Sequence, residues 1–400
     1  MRLFVLWALA ACSVPTEKLG PEPVSAETTA TTVTSTGSDG TTELPDPESG
    51  AVLFDEDVAV WPVRLEMSVE AINALLEDDA IWVAADLTVN GETYEQVGVT
   101  LKGNGSFQPL DEKPSFKIST DRFVPDQEVD GIDAFVLNNM VGDSSMIAER
   151  MAYRFYRDAG VPAPRAVHAS VQLNDRAYGL YTLVESVDGQ FLNRWFEDGD
   201  GSLYEMFDVD FLAEDIWHFD HDGGPDNRDP LFEIAAALEE GGRLTDVAEH
   251  LIDIDAFARY FAVSSFVGQF DAYPYSFPGD DLFLYVDPLD GRVRFVPHGA
   301  DETFVDSDRP ADYVYGILGH ACLDDPACDE VWRQEIHRVG DLSEEGDYPS
   351  QAFWLSQDVS AEAILDTRKP YSDALVDLSQ GQLQNFIYAR SSALDGMLGL

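Results

Sequence analysis

From about Ala51 onward, apolar residues recur at regular spacings, and the spacing alternates between helical and extended periods. "MSVEAINALLED" (67–78) has helical spacing and predicts a short amphipathic helix. "IWVAADLTVNGETYEQVGVTLKG" (81–103) predicts two strands around Asn90-Gly91, a pair that accepts positive φ and favours a tight hairpin. "KPSFKIST" (113–120) is strand-like. "DSSMIAERMAYRFYRDAG" (143–160) predicts a helix with Asp143 or Ser144 as its cap and Gly160 at its end, since Ile147, Met151 and Phe155 repeat every fourth residue. A second hairpin, "AVHASVQLNDRAYGLYTLVE" (166–185), leads into a helix that Asp188 can cap. Residues 204–243 are acidic and read as irregular. A long helix then starts at Ile254, with Asp271 directly after it, and "LFLYVDPLDGRVRFVP" (282–297) predicts a third hairpin. Residues 311–400 read mainly as helices. No internal repeat is evident, and the predicted class is α+β, with antiparallel hairpins and segregated helices.

The chain start follows a different pattern. After Arg2, an apolar run from Leu3 to Ala11 is too short to span a bilayer and reads as an export signal over residues 1–11. Its end, Leu9-Ala10-Ala11-Cys12, resembles a bacterial lipobox, so Cys12 is expected to carry lipid and tether an exported protein to the cell envelope. An ordinary signal peptide with a chance Cys is the alternative. Residues 12–50, rich in Thr, Ser, Pro and Glu, read as a disordered linker. In an oxidising compartment Cys322 and Cys328, in "CLDDPAC", are expected to pair as a disulfide.

Charge narrows the partners. The chain has 75 Asp plus Glu against 24 Lys plus Arg, a net of −51. Such a surface repels nucleic acid and anionic membranes and suits a solvated acidic coat or the holding of an envelope partner; a monomer is expected. Asp220, Asp222, Asp226 and Asp229, spaced around Gly223-Gly224, loosely match an oxygen-ligand loop for Ca2+, with a solvated acidic loop as the plainer reading.

The order of elements carries more chemistry than any single motif. A strand with lysines, a helix with Glu149, a hairpin ending at Glu185, a long helix followed by Asp271, and a hairpin followed by an acidic turn occur in the order protein kinases use. On that template Lys117 pairs with Glu149, Glu185 to Asp188 form the hinge, Asp271 orients the attacking hydroxyl and Asp301 reaches a metal. Phosphoryl transfer needs these types because the γ-phosphate spreads negative charge that a hard cation and a lysine must neutralise. Surface lysines, an exposed helix glutamate and a turn-capping aspartate are the plainer readings of the same residues.

The segments "VTLKGNGSF…KPSFKI", "FVLNNMVGDSSMIAERMAYRFYRDAGVPAPRAVHASVQLNDRAYGLYTLVESVDGQFL", "SLYE" and "FDAYPYSFPGDDLFLYVDPLDGRVRFVPHGADETF" resemble the spore-coat protein H (CotH) kinases over about residues 97–304. The resemblance implies a divergent two-lobed protein-kinase-like fold over 51–310, with 311–400 as a helical extension of the same domain. It also implies ATP-dependent phosphorylation of Ser or Thr in proteins with Mg2+ or Mn2+. Asp271 matches the family's catalytic Asp. Lys102, Gly103, Asn104 and Ser106 match its Arg-Gly-Asn-Ser-Ser-like loop, Lys113 and Lys117 its downstream lysines, and Glu185 and Asp188 its E-x-V-D, all expected to bind nucleotide. Two departures stand out: Asp281 replaces an Asn, and Gly299 replaces the first acid of a P-W-D-x-D/E turn, so Asp281 and Asp301 become the expected metal ligands. The competing functions are an inactive pseudokinase-like binding module and a calcium-stabilised envelope lipoprotein.

Overall fold

The computed structural model describes residues 49–248 and 250–399. Cys12, the export signal and nearly all of the linker lie outside these residues.

Seven strands close into a barrel in the order β1-β2-β3-β4-β5-β7-β6: β1 Trp61–Glu66, β2 Val83–Val89, β3 Glu92–Lys102, β4 Ser115–Ser119, β5 Ala134–Asn138, β6 Ala166–Leu173 and β7 Arg176–Glu185. Alternation in β1 points Trp61, Val63 and Leu65 into the barrel and Pro62, Arg64 and Glu66 outward, as a two-residue period requires. Phe116, Ile118, Phe135 and Leu137 fill the interior from β4 and β5. Each such side chain contributes about 1.5–3 kcal/mol on leaving water. The predicted hairpins hold, and Asn90 and Gly91 turn the first with φ of 52° and 78°. The closure differs from expectation: β1 pairs with β6 in parallel, from Trp61 opposite Ala169 to Leu65 opposite Leu173. A parallel partner lies far away in sequence, so local patterning carries no sign of it.

A four-stranded sheet, β11-β10-β8-β9, packs beyond the barrel, with β8 Ser202–Met206, β9 Asp220–Gly223, β10 Leu282–Val286 and β11 Val293–Pro297. The segment read as irregular thus contributes two strands and a helix, α4 (Asp229–Glu240). Its polarity disguised them, because three of the four β9 residues are exposed and the fourth is half-buried. The first helix, α1 (Val69–Glu77), is capped by Ser68. Helix α2 (Ala148–Asp158) starts later than its sequence suggested: Asp143 Oδ2 reaches forward to accept from Ala148 N at 2.8 Å, capping from five residues upstream. Of the short helices, α3 (Gly189–Trp195) precedes β8 and packs Phe191 and Leu192 against the second sheet, and α5 (Leu244–Ala248) follows α4.

Helix α6 (Ile254–Val267) begins at an Asp253 cap and ends at Gly268, whose φ of 69° lets the chain turn toward Asp271. Four helices complete the chain: α7 Ile317–Asp324, α8 Pro326–Glu345, α9 Tyr348–Leu365 and α10 Asp373–Leu398. Cys322 and Cys328 form a disulfide across the α7–α8 junction. No helix among the described residues is long and apolar enough to cross a membrane.

Candidate active site

Strands β3 and β5 flank β4 and end close together, so Lys102 and Asn138, their last residues, meet at the barrel rim. Lys102 Nζ donates to Asn138 Oδ1 at 3.3 Å, and Asn138 Nδ2 donates to Glu149 Oε1 at 2.6 Å. Glu149 is 1% exposed, and its Oε2 has no hydrogen-bond partner. Burial, reinforced by the nearby Asp301 charge, pushes its carboxyl up to about 8, against the pull of Lys102 and Asn138. The lysine linked to Glu149 is therefore Lys102, through an asparagine, where the sequence had put Lys117. The reason is the strand period: Phe116 and Ile118 point into the barrel and Lys117 points out. Lys117 still faces the cleft, where it lines a cavity of about 200 Å3 with Lys102, Asn138, Glu205, Phe283 and His298.

The acids stand opposite. Asp271 is exposed after α6, while Asp281 and Asp301 are half-buried at the open end of the β10–β11 hairpin. Asp281 is held well above the usual carboxylate range by burial and by Asp280, Asp301 and Asp271. Burial and Asp143 push Asp301 up to about 6. Lys102 opposes both shifts, so one lysine serves Glu149, Asp281 and Asp301 together. The Asp301 carboxylate turns toward the Gly142–Asp143 bend, with Oδ2 2.7 Å from where a side chain on Gly142 would begin. There it borders a cavity of about 720 Å3 between that bend, residues 301–308 and α10.

The acidic turn is held from behind. Tyr156 of α2 donates to Gln269 Oε1 at 2.6 Å, and Gln269 Nε2 donates to the His298 carbonyl at 2.5 Å. Burial, with Lys102 and Lys117 close by, lowers the His298 pKa to about 3, so its imidazole is neutral.

Other residues singled out in the sequence do different work. Lys113 is buried away from the rim, donating to Asp366 at 2.6 Å and to the Leu180 carbonyl at 2.8 Å. A lysine this buried needs a fixed counter-charge, and the residue that supplies it lies between α9 and α10. Glu185 is neutralised by Arg165 at 2.7 Å and by Arg194. Asp188 caps α3 by accepting from Gln190 N and Phe191 N, and burial beside Asp133 pushes it up to about 7. Gly103, with φ of 121°, opens an exposed loop in which Asn104 and Ser106 follow Lys102, and the Ser106 carbonyl accepts from Asn139. Asp226 pairs with Arg228, Asp229 begins α4, and Asp220 and Asp222 sit on exposed β9.

Among the described residues, no group of three or more His, Cys, Asp or Glu side chains converges on one ion position. Asp281 and Asp301, close enough for the Asp301 charge to raise the Asp281 carboxyl, are of the donor type that a magnesium-type cation arriving with its phosphates takes, because such ions use one or two carboxylates and leave the remaining positions to substrate and water. Sequence reasoning missed Asn138, and it read Asp143 only as the cap of α2, which it is, and not as a neighbour of Asp301. Asn138 ends an unrecognised strand, and the only visible trace was a polar pair closing the apolar run "FVLNN".

A rim lysine tied to a buried helix acid, in the field of aspartates on either side of a hairpin, is an arrangement consistent with a kinase-like protein. The sequence matches the family described as CotH kinase protein over residues 99–393, and the chain belongs to that family. The match extends past the resembling segments through most of α10. Inner spore coat protein H of Bacillus subtilis (strain 168) is 24% identical over 223 residues, which is 50% of this chain and 59% of the relative's length. A solved structure of the Helicobacter pylori proinflammatory kinase CtkA is 10% identical, covers 71% of this chain and 94% of its own, and has a TM-score of 0.31.

Proposed function

We propose that this chain binds ATP with Mg2+ or Mn2+ in the cleft between the barrel rim and the β10–β11 hairpin and transfers the γ-phosphoryl group to Ser or Thr of a protein. The observation that carries this reading is the Lys102–Asn138–Glu149 chain facing Asp281 and Asp301. In this reading the barrel with α2 acts as one kinase lobe and the second sheet with the later helices as the other. Lys102 neutralises phosphate oxygens from the rim, and Lys117 adds charge on the same side. Asp281 and Asp301 would hold the cation, which supplies a hard positive charge against the phosphates. Exposed Asp271 accepts the proton of the attacking hydroxyl. The connector after Glu185 lines the 200 Å3 cavity with Val184, Val187 and Phe283, an apolar setting suited to a purine. Export, a lipid tether at Cys12 and a monomeric state belong to the same proposal.

The test is thermal denaturation with and without MgATP or MnATP, together with transfer of labelled γ-phosphate to a protein acceptor. The melting temperature is expected to rise only when metal and nucleotide are both present. Asp301→Ala should abolish the rise, whereas Asp271→Ala should keep it and lose transfer. Absence of any metal-dependent rise in the wild-type chain would overturn the enzyme reading in favour of a binding module.

A further inference from the structure

Gly299 sits in the acidic turn with φ of 54°, and Asp281 sits across the hairpin mouth with φ of 53°. Register brings them close: Leu282 pairs with Pro297, so Asp281 lies opposite His298, and Gly299 is the next residue of the turn. The Asp281 carbonyl accepts from His298 N at 3.1 Å, and Asp281 N donates to Asp280 Oδ1 at 2.8 Å, which fixes both backbones. A Cβ built on Gly299 would lie 2.0 Å from Asp281 Oδ1, 2.3 Å from its Cγ and 2.5 Å from Oδ2. Every atom of the carboxylate is thus inside the volume a side chain at 299 would need. No side chain of any kind can occupy 299 while Asp281 points where it does.

We infer that Asp281 and Gly299 form one interlocked unit, in which residue 281 delivers into the cleft the carboxylate that the turn itself does not carry at 299. Gly299 is a positioning residue whose contribution is empty space. The unit rests on the nucleotide and cation reading above for its purpose, and on packing alone for its existence. It makes a specific claim about exchange: a carboxylate is accommodated at 281 or at 299, one at a time.

The experiment uses the full chain and four variants: Gly299→Ala, Asp281→Gly, the two combined, and Asp281→Gly with Gly299→Asp. Without ligand, Gly299→Ala should lower the melting temperature by several degrees. In the Asp281→Gly background the same change should cost much less, since the colliding group is gone, and the remainder reports the positive φ. Equal losses in both backgrounds would overturn the interlock. With MnATP, the stabilisation seen in wild type should vanish in Asp281→Gly and return in the exchanged variant, which holds its carboxylate at 299. Failure of the exchanged variant to recover, with wild type responding, would overturn the delivery of the carboxylate. Should Gly299→Ala fail to fold, the exchanged variant still decides, because its folding is expected only if 281 and 299 share one space. A wild-type chain indifferent to MnATP would remove the metal role together with the kinase reading, while the ligand-free coupling would still decide the interlock.

Discussion

Two lysines of similar sequence setting have opposite fates, and that contrast is testable residue by residue. Lys113→Met should leave Asp366 buried without its partner and cost about 3–5 kcal/mol in denaturant titration, the range for breaking a buried pair. Lys102→Met takes from Glu149, Asp281 and Asp301 the lysine that opposes their raised carboxyls, so it should weaken MgATP binding and lower the melting temperature, though by less than Lys113→Met because Lys102 is only half-buried. Glu149 makes a pH prediction. Its carboxyl is raised from 4.5 to about 8 in the folded chain, so between those values the folded state holds more protons than the unfolded state. Stability must then fall as pH rises through that window, and Glu149→Gln should flatten that part of the melting-temperature profile. At this scale the sequence identified residue types well and partners poorly. Asp188 was legible as a cap because caps are local. Lys113 was not legible as a structural ion, because its partner lies 253 residues away.

Among the elements, the hairpins, α1, α2 and α6 were legible because their periodicity and turn residues lie within a few positions of one another. Helix α4 and strand β9 were hidden by acidic surface residues, and β1 by a partner strand a long way down the chain. The α9–α10 connection is where a local reading misleads most. Asp366 accepts from Lys113 and from Leu180 N, and Arg368 reaches the Ala177 carbonyl, so the connection is bolted onto the barrel. From α10, Gln380 donates to the Ser145 carbonyl at 3.0 Å, bracing the bend that bears Asp143 and precedes α2. A chain ending at residue 365 should therefore fail to give a folded barrel, recovered as aggregate or as a species without a cooperative melt. Replacing both Cys322 and Cys328 by serine should be milder, about 2 kcal/mol, since the bond closes only a short loop.

Over the whole molecule, a net charge of −51 places the folded chain under its own repulsion, which unfolding relieves by moving charges apart. Raising NaCl from about 10 mM to about 1 M should increase the melting temperature, because screening shortens the reach of that repulsion from about 30 Å to about 3 Å. Divalent cations at equal ionic strength should do more only if they occupy a defined site, which separates screening from binding. The Lys113–Asp366 pair finally bears on the time course of folding. Asp366 follows Lys113 by 253 residues and the last barrel strand by far, so a ribosome-bound chain that has finished every barrel strand still lacks the anion that lets the lysine be buried. The barrel stays unlocked until Asp366 has emerged, which separates completion of the barrel's strands from its final consolidation.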